Sequence, residues 1–329
     1  MWPNRSRTFA RLAAVALVVP TGEQVAPRVP AAPAGVAGAR GDVAPRGAAR
    51  GVVTDHVVVI SIDGLRPDAI GEFGAGTLQR LMREGSYSLS AKTIMPSRTL
   101  PSHTSMLTGD EPAEHGITWN RNETDDHGHV AVPTVFARAR ERGFRTAAFF
   151  SKGKFNHLAV PGTLDHARVP QGNAKWTADE TVAHVRAHLE RERPNLTFVH
   201  FGEPDYAGHK YSWMSWFYGR AVRKADQAVA EVLRAADRAF GEGNYAVIVT
   251  ADHGGHGWSH GSSDPRDVTI PWIAWGEGVR AGSELPAGIR TMDTAATALW
   301  LLGVPEPSVG EPVRLAFDAV AGLPLAGVK

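Results

Sequence analysis

The sequence predicts an α/β domain built on a mainly parallel sheet, with helices on both faces and no large cap domain. Three observations predict it. β-Branched apolar runs end abruptly in Asp/Gly turns over residues 57–64, 196–205 and 245–255, as strands buried on both faces do. Helical patterns alternate with these runs at 134–142, 177–191, 217–240 and 292–302, and such alternation means a parallel sheet covered on two sides. The chain has 329 residues, 43% of them hydrophobic, which suffices for one large core.

The first fifty residues differ from the rest. Arg5, Arg7 and Arg11 precede the apolar run LAAVALVV and Pro20. A positive segment followed by a run too short to span a bilayer reads as a secretory signal peptide over residues 1–22. Ala37-Gly38-Ala39 has the small-x-small form of a cleavage site but lies far downstream; the competing reading is a mis-assigned start. Residues 23–52, rich in Pro, Ala, Gly and Arg, read as a disordered linker. The first reading implies secretion or a cell-envelope or periplasmic location, and the second a cytoplasmic one. Folding is placed at residues 53–329.

Each folded segment has its own reason. Residues 57–62, 196–201 and 245–250 are runs of Val, Ile, Leu, Phe and Thr; shorter runs at 146–150 and 271–275 read as further strands. Net charge is +1 with a pI near 8.1, so no nucleic-acid-binding surface is evident. Nor does any segment read as a transmembrane anchor. With no cysteine, disulfides, thiolate metal sites and a cysteine nucleophile are excluded.

The three strongest strands end in carboxylates: Asp63, Asp205 and Asp252. In a parallel sheet those ends share one edge, where open α/β folds place their ligands. Asp205 and His209 are four apart, which lets both face one ion from a helical turn. Asp252 and His253 are adjacent before Gly254-Gly255, and His256 and His260 follow in a glycine-flanked loop. Carboxylate and imidazole donors without thiolate suit zinc, manganese or iron better than calcium. The segment from Thr93 to Gly109 carries six hydroxyls (Thr93, Ser97, Thr99, Ser102, Thr104 and Ser105), and spacing alone does not choose a nucleophile among them.

These residues resemble the alkaline-phosphatase superfamily, in particular its nucleotide pyrophosphatase/phosphodiesterase branch. The resemblance rests on Ile62-Asp63-Gly64-Leu65-Arg66-Pro67-Asp68, on Pro96-Ser97-Arg98-Thr99-Leu100-Pro101-Ser102-His103 with Thr108-Gly109 and His115-Gly116-Ile117, on Glu203-Pro204-Asp205 through His209, and on Ala251-Asp252-His253-Gly254. It implies a metal-dependent phosphohydrolase domain with Thr99 as nucleophile, working by double displacement through a phosphothreonine. It further implies one ion on Asp63, Thr99, Asp252 and His253, and a second on Asp205, His209 and a third histidine. His260 is preferred because related phosphoglycerate mutases place a ligand histidine before a segment like residues 270–276; His256 is the competitor. The ions implied are two divalent cations, zinc with manganese as the alternative, and the substrate is a small-molecule phosphoester. The branch carries an asparagine three residues after the nucleophile. Ser102 stands there instead, so Ser102 is a candidate phosphate donor, as are Arg98 and Lys154.

Rival readings are a phosphomonoesterase, a phosphonate hydrolase, a sulfatase and a catalytically degenerate binding module. The sulfatase signature matches in spacing, but threonine cannot yield formylglycine and His103 replaces its arginine. Trp213, Trp216 and Phe217 are read either as an aromatic wall for a leaving group or as packing. Asp226 is expected to be a solvated or capping carboxylate, and His103 and His115 to be structural hydrogen-bond partners.

Overall fold

The computed structural model describes residues 53–305 and 309–318; the expectations for residues 1–22 and 23–52 lie outside them. Along the chain the strands are β1 (Val57–Ile62), β2 (Ser86–Lys92), β3 (Thr146–Phe149), β4 (His166–Arg168), β5 (Leu196–Phe201), β6 (Ala246–Thr250), β7 (Thr269–Gly276) and β8 (Ser283–Glu284). They form one sheet in the order β4-β3-β5-β1-β6-β7-β2-β8. Every pairing is parallel except those of β7, which runs antiparallel to β6 and to β2. The chain returns from β6 to β7 through a glycine- and histidine-rich loop and the short helix Pro265–Val268, without the long crossover that a parallel return requires.

The principal helices are α1 (Gly76–Glu84), α2 (Thr99–Thr108), α3 (Val135–Glu141), α4 (Ala178–Glu192), α5 (Glu203–Tyr211), α6 (Trp216–Phe240) and α7 (Asp293–Leu301). On one face α6 packs on α1, α4 and α5; on the other α7 packs on α2 and α3. The expected mainly parallel sheet, covered on both faces and without a large cap, is therefore the observed fold. α4 buries Thr181, Val182, Val185, His188 and Leu189 along one stripe, the helical period that its sequence shows. Its start is fixed by a capping box in which Thr177 and Glu180 bond each other's amides. Asp226 of α6 is buried and accepts the amides of Thr77 (3.1 Å) and Leu78 (2.8 Å). It caps α1, so the capping reading holds and the solvated one does not.

Strand register places the site. β1 lies between β5 and β6, with Ile62 opposite Phe201 and Ser61 opposite Thr250. The three carboxyl ends therefore finish level, and Asp63, Asp205 and Asp252 leave from one edge. Gly64 permits their close approach. Its φ is +72°, and a Cβ there would stand 3.0 Å from the Asp205 Cα, so both backbone conformation and space demand glycine.

Candidate metal centre

Asp63, Asp205 and Asp252 are buried, and each has one oxygen engaged and one left over. Asp63 Oδ2 accepts from His200 Nε2 (3.0 Å) and faces Lys152 Nζ at 2.6 Å. Asp205 Oδ2 accepts from Lys152 Nζ at 2.5 Å, and Asp252 Oδ1 from the Gly64 amide at 3.1 Å. Among the described residues, Asp63 Oδ1, Asp205 Oδ1 and Asp252 Oδ2 are buried with no hydrogen-bond partner, an arrangement that costs several kcal/mol (on the order of 1–3 per group) unless something else supplies positive charge.

The histidines face those oxygens lone pair first. Nδ1 of His209, His253 and His260 lies against the carbonyls of Trp258 (3.0 Å), Gly254 (2.8 Å) and Ser97 (2.8 Å). A carbonyl only accepts, so each Nδ1 carries a proton; the buried rings of His253 and His260 are held neutral and present an Nε2 lone pair. His253 Nε2 is 3.4 Å from Asp63 Oδ1 and 3.2 Å from Asp252 Oδ2. His209 and His260 place Nε2 at 3.2 and 3.6 Å from Asp205 Oδ1. Lone pairs opposed at this range repel. Tetrahedral ligands of an ion with bonds of about 2.0–2.2 Å stand roughly 3.4 Å apart, which is the spacing seen. Two clusters of cation-binding geometry result, Asp63/Asp252/His253 and Asp205/His253/His260, each with its donor atoms within 4.8 Å of one another. His253, expected beside one ion only, lies between the two, stacked on His260 with ring centroids 3.6 Å apart. His256 instead bonds Asp267 through Nδ1 at 2.7 Å and belongs to neither cluster.

Charge makes the same demand. Burial opposes ionisation of Asp63, but Lys152 and the His200 hydrogen bond hold its carboxyl well below the usual range. Asp205 is lowered too: burial and Asp63 push it up, and Lys152 and His209 outweigh them. Asp252 is driven well above the ordinary value by burial and by Asp63. One lysine thus compensates for part of the negative charge, and the remainder calls for a cation. Lys152 itself is held above its ordinary value, since Asp205 and Asp63 outweigh its burial. Burial and the neighbouring His253 bring His260 down to about 3, so its ring is neutral, as a metal ligand must be. Half-exposed His209 moves the other way: the Asp205 carboxylate favours a second proton, on Nε2, which the ring must give up to act as a metal ligand.

Thr99 opens α2, and its hydroxyl lies 3.3 Å from His253 Nε2, at the junction of the two clusters. It lines a cavity of about 220 Å³ together with Asn120, Lys152, Lys154, Asp205 and His260. The other hydroxyls of the segment are engaged elsewhere. Ser97 donates to the Ser262 carbonyl, Thr104 to the Leu100 carbonyl, and Ser105 bonds His115 Nε2. Ser102 departs from expectation. It is fully buried, donates to the Asp252 carbonyl (2.7 Å) and bonds Thr93 Oγ1 (2.7 Å), because position 102 faces into the packed α2 layer rather than the cavity. Arg98 occupies the N-cap position of α2 without a side-chain cap bond and is exposed beside Gly261, outside the cavity lining. Lys154 does line it, and burial with the nearby Lys152 brings its ammonium down to about 8.

Asn120, Lys152 and His200 were not visible as site residues in the sequence. Asn120 Oδ1 accepts from the Leu100 amide (2.9 Å) and Lys154 Nζ (3.0 Å), and its NH₂ donates to no group among the described residues. For His200 a signal existed: an imidazole in the middle of an apolar buried strand needs a polar partner. His103 and His115 are structural, as expected. Ser61 donates to His103 Nε2 (2.8 Å) while its Nδ1 bonds the Thr99 carbonyl (2.8 Å). Trp213 is packing, not a wall: it is buried, donates to the Gly64 carbonyl at 3.0 Å, and lies over Gly208 and Gly255.

A parallel-edge site of this kind, with paired carboxylate/imidazole clusters around a threonine, is the arrangement of the alkaline-phosphatase superfamily. The family model for type I phosphodiesterase / nucleotide pyrophosphatase matches residues 57–262, and the chain belongs to that family. It is 27% identical over 247 residues to GPI ethanolamine phosphate transferase 1 of Gibberella zeae, covering 68% of this chain and 24% of that protein. It is 25% identical over 219 residues to the bis(5'-adenosyl)-triphosphatase enpp4 of Xenopus laevis, covering 61% and 47%. The chain thus spans less than half of these curated relatives. Murine ectonucleotide pyrophosphatase/phosphodiesterase 5 superposes with a TM-score of 0.67 at 15% identity, over 80% of this chain and 100% of that one. A 2-O GAG sulfatase superposes at 0.63 and 15% identity, over 80% and 74%. No described helix is long and apolar enough to cross a membrane.

Proposed function

We propose that the chain is a two-metal phosphoester hydrolase of phosphodiesterase type, acting through a phosphothreonine at Thr99. The observation that carries the proposal is the convergence of three unpartnered buried carboxylate oxygens with the Nε2 lone pairs of His253 and His260 beside the Thr99 hydroxyl. Two divalent cations, zinc by the donor set with manganese the alternative, would sit on Asp63/Thr99/Asp252/His253 and on Asp205/His209/His260, neutralise phosphoryl charge and lower the proton affinity of a hydroxyl or water.

The protein's own part is positioning. Thr99 Oγ would lose its proton to solvent and form the new P–O bond as the bond to the ester oxygen breaks in line and that oxygen takes up a proton; water would then attack phosphorus in line, breaking the Thr99 Oγ–P bond and leaving a proton on Oγ. Asn120 and Lys154 line the cavity beside Thr99, where they can hold non-bridging oxygens. An inactive threonine-to-alanine variant of murine ectonucleotide pyrophosphatase/phosphodiesterase 5, solved with AMP, supports the threonine assignment.

The test is the zinc-loaded protein against a nitrophenyl phosphodiester, phosphomonoester, phosphonate and sulfate. The diester rate is expected to dominate, and Thr99→Ala to lose at least about 10³-fold with metal content unchanged. Wild-type turnover in Thr99→Ala would remove the nucleophile assignment, and a dominant sulfate rate would remove the reaction class. The ethanolamine phosphate transferases among the relatives favour a second reading, in which an alcohol replaces water in the second displacement. Transfer of the phosphoryl group from an ethanolamine phosphodiester donor to an added alcohol acceptor, in competition with water, would establish it.

A further inference from the structure

Whole-chain charge gives no reason to expect membrane binding, but the distribution of exposed apolar side chains does. Of the six large apolar residues left exposed among the described residues, four are aromatic: Tyr211, Trp216, Phe217 and Trp258. All four bracket His209. Tyr211 follows it by two positions at the end of α5. Trp216 and Phe217 open α6, and the Trp258 carbonyl receives His209 Nδ1. Tyr211 stacks on Phe217 at 4.2 Å, and Phe217 meets Trp216 edge-on at 5.0 Å. The turn that displays them is backbone-strained, with Ser212 at φ 74° and Met214 at φ 62°. It sends Trp213 inward while its neighbours stay out. With exposures of 62% for Trp216 and 67% for Trp258, these rings exceed what scattered surface hydrophobics explain.

Cations are interleaved with the rings. Lys210 lies over Tyr211 at 5.1 Å and Arg220 over Trp216 at 5.0 Å. Residues 206–225 contain no Asp or Glu. Arg223 bonds the Phe73 carbonyl and Lys224 pairs with Asp179, so Lys210 and Arg220 are the cations presented with the rings. Aromatic side chains that place rings at the headgroup level, flanked by cations without acids, match an anionic bilayer surface.

We propose that this aromatic-basic lip docks the protein on anionic phospholipid, holding the mouth of the metal centre at the lipid–water boundary. Docking is independent of the chemistry proposed above, because it is read without turnover.

The experiment sediments the full chain with vesicles of phosphatidylcholine alone or with about a quarter phosphatidylglycerol. Wild type is expected to bind the anionic vesicles and to release with salt. Trp216→Ser with Phe217→Ser is expected to lower partitioning at least about ten-fold, and Lys210→Ser with Arg220→Ser about thirty-fold on anionic vesicles only. Residues 1–52 are common to all variants and cancel. Thermal melts and turnover of a soluble nitrophenyl diester should be unchanged, which separates lost docking from lost folding. Absence of wild-type binding, or equal binding by both double variants, overturns the proposal. So does a raised KM for the soluble aryl ester with vesicle binding intact, which would make the rings a leaving-group wall.

Discussion

Lys152 makes the sharpest claim on the electrostatics of the site. Its side chain is 4% exposed, and its Nζ is 2.6 Å from Asp63 Oδ2 and 2.5 Å from Asp205 Oδ2. Lys152→Met keeps most of the volume and removes the charge. Two buried carboxylates then lose their compensating cation beside a third, Asp252, already driven toward its neutral form. Breaking a buried pair from one side costs about 3–5 kcal/mol. At roughly 2–4 °C per kcal/mol for a domain of this size, the metal-free melting point should fall by about 6–20 °C. Divalent zinc restores the missing charge and should recover more than about half of that loss. The pH dependence follows in sign. Without Lys152 the carboxyls of Asp63 and Asp205 titrate higher in the folded chain than in the unfolded one. The deficit therefore shrinks toward pH 5, where they protonate, and grows toward pH 8. The assay is urea and thermal denaturation of wild type and variant, metal-free and zinc-loaded, at both pH values. Equal stability of the two metal-free proteins, or an equal deficit with and without zinc, would refute the brace.

Other changes test the frame around this cation. Gly64→Ala should cost about 1–2 kcal/mol from its left-handed φ alone, and more because the new Cβ meets Asp205; urea midpoints and zinc titration together check both effects. Asp205→Asn should reduce bound metal from two ions per chain to one by elemental analysis while Asp252→Asn leaves the His209/His260 ion in place. His188 is brought down to about 4 by burial and by His166, stacked on it at 4.0 Å. Its folded pKa lies below the unfolded value near 6.5, so the associated stability is complete above that pH and declines as pH falls toward 4. Discounted for solvent screening this is about 1 kcal/mol, and His188→Gln should flatten the urea-midpoint profile between pH 7 and 5.

What the sequence disclosed and what it hid follow one physical division. β1, β5 and β6 were legible because every residue in them is buried, so the runs are mostly apolar and their ends are marked by Asp and Gly. The same punctuation exposed Asp63, Asp205 and Asp252, since a carboxylate at the end of a buried strand announces itself locally. α4, α6 and α7 carry helical patterns and were placed within a residue or so. α2 was not, because all ten of its residues are buried, six of them Thr, Ser or His; a helix submerged in its own hydrogen bonds has no polar face for periodicity to detect. β2 alternates serine with apolar residues over a bulge, and that is a weak strand signal.

The hidden site residues share a different cause. A lysine in Ser151-Lys152-Gly153 looks like any solvated surface lysine, and its meaning comes only when β3 is laid beside β5 and its ammonium falls between carboxylates 142 positions apart in sequence. Asn120 is likewise set by a loop whose path spacing does not encode. The candidate ligands Asp63 and Asp252 sit where strands stop, and strands are written in the sequence. The groups that balance and orient those ligands are defined by contact, so they appear only with the fold. That is why Ser102 attracted the reading that Asn120 fits better. Position 102 is near Thr99 along the chain, yet one helical turn on it points into the packed layer, while Asn120 returns to the cavity.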